Sequence, residues 1–124
     1  MLSEKLQAAI NEQINAELWS AYLYLSMSMD QEAKGNKGFA NWFFIQFQEE
    51  QDHARIFMNM LNSRGAEVKL QPIAEVQTEW ESPLAAWEKT LEHEQVVTAR
   101  INNLMAIAKE EQDCASESFL KWFV

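Results

Sequence analysis

The sequence predicts an all-α protein: a four-helix bundle with one long crossover between its second and third helices and a shortened fourth helix. Three observations carry this. Only three glycines and two prolines occur among 124 residues, with a 48% hydrophobic share, a composition that favours long uninterrupted helices around a buried core. Apolar residues recur at helical spacing in three long stretches. Between the second and third stretches, residues 66–81 lose that period.

The first helix is expected from about Ser3 to about Gln31. Ser3 suits the N-cap, Glu4 suits the first turn, and Leu6, Ile10, Ile14, Leu18, Ala21 and Leu25 form its stripe. The breaker run Ala33-Lys34-Gly35-Asn36-Lys37-Gly38 ends it. The second helix is expected from Gly38 or Phe39 to about Arg64, with the stripe Phe39, Phe43, Phe47, Ala54, Phe57 and Leu61 and a terminating Gly65.

Residues 66–81, with Val68, Leu70, Pro72, Ile73 and Val76, look extended. So long a loop in a small bundle needs a geometric reason. A helix of about 27 residues is about 40 Å long, and about 16 extended residues reach about 50 Å. The segment can therefore run the length of the bundle and start the third helix parallel to the second. Ser82 then caps the third helix, with Pro83 at its first position. Its stripe is Leu84, Trp87, Leu91, Thr98, Ile101, Met105 and Ala108, fading at 109–112. Asp113 opens a short helix with Ala115, Phe119, Trp122 and Phe123. Residues 1–124 read as one helical domain whose fourth helix is incomplete, leaving an apolar groove on the others.

The net charge is -9, which disfavours nucleic acid and anionic membranes and attracts cations. Cys114 is the one cysteine, so neither a disulfide framework nor a thiolate zinc site forms within the chain. The first residues lack a signal-peptide layout and no stretch reaches the ~18 apolar residues of a membrane span. A cytoplasmic protein is expected.

Carboxylates interrupt the stripes. The seams read Leu6, Ile10, Gln13, Glu17, Ser20, Tyr24, Met27 in the first helix; Phe43, Phe47, Glu50, Ala54, Phe57 in the second; and Leu84, Trp87, Leu91, Glu94, Thr98, Ile101 in the third. A lone buried carboxylate takes a proton or a partner. Three at one depth point to a shared cation. Glu50 and His53, three apart, share a helix face and can grip one ion. Carboxylates plus one imidazole suit iron or manganese and tolerate zinc; Glu17 and Glu94 would complete the site. Inward Glu and Glu-x-x-His on facing helices is the known pattern of di-iron bundles, applied here as a template. Glu49, about 100° round from Glu50, faces either solvent or an adjacent third metal position. His93 is expected to point away from the seam.

The chain resembles the non-haem bacterial ferritins along its whole length. The likeness lies in Asn11-Glu12-Gln13-Ile14-Asn15-Ala16-Glu17-Leu18, Ala21-Tyr22-Leu23-Tyr24, Gly38-Phe39-Ala40-Asn41-Trp42, Gln48-Glu49-Glu50-Gln51-Asp52-His53-Ala54, Trp80-Glu81-Ser82-Pro83, Glu92-His93-Glu94 and Phe119-Leu120-Lys121-Trp122-Phe123. The resemblance implies a ferritin-like bundle and a ferroxidase, which oxidises ferrous iron with oxygen and stores ferric mineral in a homo-oligomeric cage of two dozen subunits. It implies that Glu17, Glu50 and His53 hold a first iron, that Glu50 bridges to a second iron held by Glu94, and that Glu49 serves a third. Tyr24 and Trp122 match aromatic residues suited to passing electrons. Family members continue beyond Val124 with most of a fourth helix and further ligands, so oxidation and cage assembly are expected to be impaired. The alternative is a non-catalytic helical protein that self-associates through the groove.

Overall fold

The computed structural model describes residues 2–123. Its elements in chain order are α1 (Glu4–Ala33), α2 (Lys37–Ser63), α3 (Pro83–Glu110) and α4 (Cys114–Leu120), with a final 3-10 turn at Lys121–Phe123. No strand occurs among the described residues.

Local chemistry sets most boundaries. The Ser3 Oγ accepts from the Leu6 amide at 3.1 Å and the Ser82 Oγ from the Ala85 amide at 3.1 Å, each meeting one of the unpaired donors of a first turn. Asp113 does the same for α4 through the Ser116 amide at 3.0 Å. Gly65 adopts φ 72°, and its backbone turn returns the Ala66 amide to the Leu61 carbonyl at 3.0 Å. Asn36 makes no side-chain cap bond, and α2 starts at Lys37, a residue or two before the expected Gly38 or Phe39.

The expected chain path is present. The Ser28 Oγ donates to the Ala40 carbonyl at 2.7 Å where α1 turns into α2, and Leu6 packs with Phe57 and Leu61 at the opposite end, so the two helices are antiparallel. The crossover then climbs α1. Asn11 clasps its start, donating to the Glu67 carbonyl at 2.9 Å and accepting from the Lys69 amide at 2.8 Å. The Trp19 indole donates to the Glu75 carbonyl at 3.3 Å and the Ser26 hydroxyl to the Gln77 carbonyl at 2.6 Å. At the top, the Asp30 carboxylate accepts from the Trp80 amide at 3.3 Å and Lys34 donates to the Trp80 carbonyl. α3 descends from there: Thr90 meets Met27, His93 meets Ser20 and Glu111 meets Ser3. It is antiparallel to α1 and parallel to α2.

Two apolar clusters fill the interior. One gathers Leu6, Ile10, Ile14, Phe57, Leu61, Leu104 and Leu120; the other gathers Leu23, Tyr24, Met27, Phe43, Trp80 and Ala86. The depth of Glu17 and Glu50 lies between them.

The face of α3 departs from the expected stripe. Its buried residues are Ala86, Thr90, His93, Ile101, Leu104 and Ala108, while Leu84 and Leu91 are 66% and 64% exposed. On this face Ala86 packs into the second cluster and Ala108 into the first, while Thr90 meets Met27 of α1. The leucines lie beside this face, at a height that α4 does not reach, since Leu120 and Phe119 pack only into the first cluster.

Replacing Asn11 with Ala strands the Glu67 carbonyl and Lys69 amide. The expected cost is about 1–3 kcal/mol, read as a lower urea midpoint. The Lys69 amide should also exchange hydrogen faster while the mid-helix amide of Leu61 does not. Unchanged exchange at Lys69 would show that the clasp does not hold the crossover.

Candidate metal centre

Three of the candidate ligands converge. Glu17 comes from α1, and Glu50 and His53 come from one turn of α2. One ligand atom from each lies within 4.8 Å of the others. The Glu17 and Glu50 carboxylates are buried, and His53 is partly open. The His53 Nδ1 stands 3.7 Å from Glu17 Oε2 and 3.5 Å from Glu50 Oε2. Both of those oxygens are buried and accept no hydrogen bond. Native interiors seldom leave such acceptors unpaired.

The other Glu17 oxygen is held. Gln13, one turn earlier on the same face, donates its Nε2 to Oε1 at 2.9 Å. This aims Oε2 at the centre. Sequence reasoning placed Gln13 on the seam without giving it this role, although its spacing of four from Glu17 carried the signal.

Glu94 lines the same cavity of about 240 Å³ as Glu17, Glu50 and His53, but it stands outside the tight trio and is exposed. The sequence reading placed it on the core-facing stripe. It still faces the centre, and it is exposed because α4, packed into the first cluster, does not cover α3 at that height. What reaches Glu94 is Tyr24, whose buried hydroxyl donates to Oε1 at 2.7 Å. His93 is corrected in the opposite sense: it is buried, with Nε2 2.6 Å from the Ser20 Oγ. Glu49 is exposed, on the solvent side of α2. Trp122 is 68% exposed, and Phe123 rather than Trp122 lies against the His53 ring, at 5.7 Å between centroids.

The protonation pattern follows from this crowding. Burial raises the Glu50 carboxyl, and the neighbouring Glu17 charge adds to the rise, to about 8. The Glu17 and Glu50 carboxylates, 3.7 and 3.5 Å from its Nδ1, lift His53 to about 10 against the opposing effect of burial. Burial alone would raise Glu17 too, but the nearby His53 and Glu50 groups and the Gln13 hydrogen bond outweigh that and hold it below the ordinary value. Burial, followed by the bond to Glu94, pushes the Tyr24 phenol well above its usual range. Near neutral pH, Glu17 is ionised while Glu50 and His53 each keep a proton. Two protons thus stand where one doubly charged cation would compensate the same groups.

The family model of the ferritin-like domain matches residues 7–124. The chain belongs to the ferritin-like family. It is 47% identical over 124 residues to a bacterial non-haem ferritin of Bacteroides fragilis, spanning 78% of that protein. It is 36% identical to one of Staphylococcus aureus, spanning 75% of it. Among solved structures, the open-pore ferritin of the hyperthermophilic archaeon Archaeoglobus fulgidus superposes with a TM-score of 0.98 at 48% identity, over all of this chain and 76% of that one. The ferritin-like bundle is therefore the fold of this chain, and the Glu17–Glu50–His53 trio sits between the two apolar clusters of that bundle.

A divalent ion entering the trio must displace the protons on Glu50 and His53. Its apparent affinity should rise with pH below about 8, by about tenfold per pH unit for each proton released. Calorimetry in buffers of different ionisation enthalpy counts those protons. Without metal, Glu50 and His53 hold protons more tightly folded than unfolded, so stability should fall as pH rises through about 8 and then about 10. An affinity independent of pH between 6 and 8 would overturn the protonation scheme.

Proposed function

We propose that residues 1–124 form one ferritin-like domain that takes up ferrous iron at Glu17, Glu50 and His53, oxidises it with dioxygen and stores the ferric product within an assembly of copies. The observation that carries this reading is the pair of buried, unpartnered oxygens on Glu17 and Glu50, facing one imidazole. Family membership and the identity to bacterial non-haem ferritins support iron storage.

The donor set suits the chemistry. Carboxylate oxygens and an imidazole, with no thiolate, accept iron in both oxidation states. Hard anionic oxygens favour the more highly charged ferric ion over the ferrous one, so binding itself promotes the loss of an electron. Each ferrous ion gives up one electron, and dioxygen takes the electrons up with protons from solvent. The Glu50 carboxyl can span a first ion and a second one approached by Glu94. Tyr24 holds one Glu94 oxygen by its hydrogen bond and leaves the other for the ion. Because the Tyr24 phenol keeps its proton on the Glu94 side, it can yield an electron and that proton together.

Glu49, exposed on α2, is the residue we assign to a third, outlying iron position. Apolar Tyr22, Met29, Ile45, Leu70 and Ile73 are 43–71% exposed, which favours burial between copies in a homo-oligomer. No described helix is long and apolar enough to cross a membrane.

Ferrous iron added in air to the protein should develop ferric absorbance faster than iron alone; equal rates would refute the oxidase reading. Replacing Glu50 with Ala should abolish the excess rate and weaken the first equivalent of iron or zinc by at least about tenfold. Replacing Glu49 with Ala should leave that first equivalent within about threefold. Equal losses from the two substitutions would count against the assignment of helix faces.

A further inference from the structure

Glu94 lies at the rim of the centre with little to hold it. It is exposed, its α3 neighbours Leu84 and Leu91 on the same side are exposed, and its carboxylate accepts one hydrogen bond among the described residues, from Tyr24. A ligand so placed keeps its geometry only if α3 itself is fixed in register at that level.

His93, the preceding residue, supplies such a fixture. Its side chain is buried against α1, and its Nε2 lies 2.6 Å from the Ser20 Oγ. The Ser20 hydroxyl spends its single proton on the Ala16 carbonyl at 2.9 Å. With that proton placed on Ala16, the tautomer carrying hydrogen on Nε2 lets His93 donate to the Ser20 oxygen. The ring is walled by Trp19, at 5.3 Å and 59°, and by the edge of Tyr24, at 6.1 Å and 74°. The two aromatics and the contact to Ser20 hold the ring against α1 on three sides. Adjacent helix residues project about 100° apart, so fixing His93 against Ser20 aims Glu94 toward the Tyr24 hydroxyl. Tyr24 touches both: its ring packs on His93 and its hydroxyl binds Glu94.

We propose that His93 is a positioning residue for the second metal position, acting through Glu94 by locking α3 to α1 at Ser20. This rests on the reading of Glu94 as a ligand given above.

The test is a titration of the full chain with cobalt(II), whose visible absorption reports its coordination, at constant pH. Wild type is expected to fill in two steps. His93→Leu keeps the bulk and removes the donor. It should leave the stronger step within about twofold and weaken the second by about tenfold. His93→Gln, which can still donate to Ser20, should recover most of that loss. Glu94→Ala should resemble His93→Leu, and the double variant should be no worse than Glu94→Ala alone, because residues acting as one unit are non-additive. Equal weakening of both steps, no recovery with Gln, or a loss that adds to that of Glu94→Ala would overturn the proposal. A single wild-type step that Glu94→Ala leaves unaltered would remove Glu94 as a ligand and the proposal with it. In that case Glu50→Ala still reports on the first position separately.

Discussion

Two carboxyl groups share one small buried volume, and everything distinctive about this bundle follows from that repulsion. Glu17 and Glu50 come from different helices and meet beside one imidazole. In a low-dielectric interior they cannot both stay ionised and uncompensated. The protein without metal resolves this with protons, shared unequally among Glu17, Glu50 and His53. A cation at the proposed site would resolve it with charge. The same groups would then have two ways of reaching neutrality, and exchange between them would link uptake of metal to release of acid.

The surrounding structure keeps that conflict from relaxing. Apolar clusters above and below exclude water at either side of the centre. Gln13 pins one oxygen of Glu17, so the carboxylate cannot turn away to solvent. The crossover, hydrogen-bonded to α1 from Asn11 to Asp30, delivers α3 in the direction that brings Tyr24 and Glu94 together. Each of these contacts is weak by the measure of a whole protein's stability. Their value lies in direction, since a ligand displaced by an ångström loses most of its grip.

Much of this was legible in the residues, and the parts that were not share a cause. The seam from Leu6 through Gln13, Glu17, Ser20 and Tyr24 to Met27 is buried as its period implies, because α1 is covered along its length by α2, the crossover and α3. Chain length alone foretold the parallel arrangement of α2 and α3. Which face of α3 is buried was not legible. Two stripes run down that helix, one rich in leucine and one rich in alanine and threonine, and hydropathy favours the first. Which of them is buried depends on what packs against α3, and that is a property of the bundle rather than of one helix's sequence. The side of α3 that meets α1 buries His93, and the side that α4 does not reach leaves Leu84, Leu91 and Glu94 exposed. The exposure of Glu49 agrees with one of its two sequence readings, the solvent-facing side of α2.

The trio draws all its members from one helical hairpin, α1 and α2, with the turn at 34–36 between them. Contacts within a hairpin close shorter loops than those made by α3, whose partners on α1 lie some seventy residues away. Short loops cost less chain entropy and form sooner. The proposed ion grip thus depends on the α1–α2 hairpin alone, and a metal captured there would tie that hairpin shut without help from the helices that follow it in the chain.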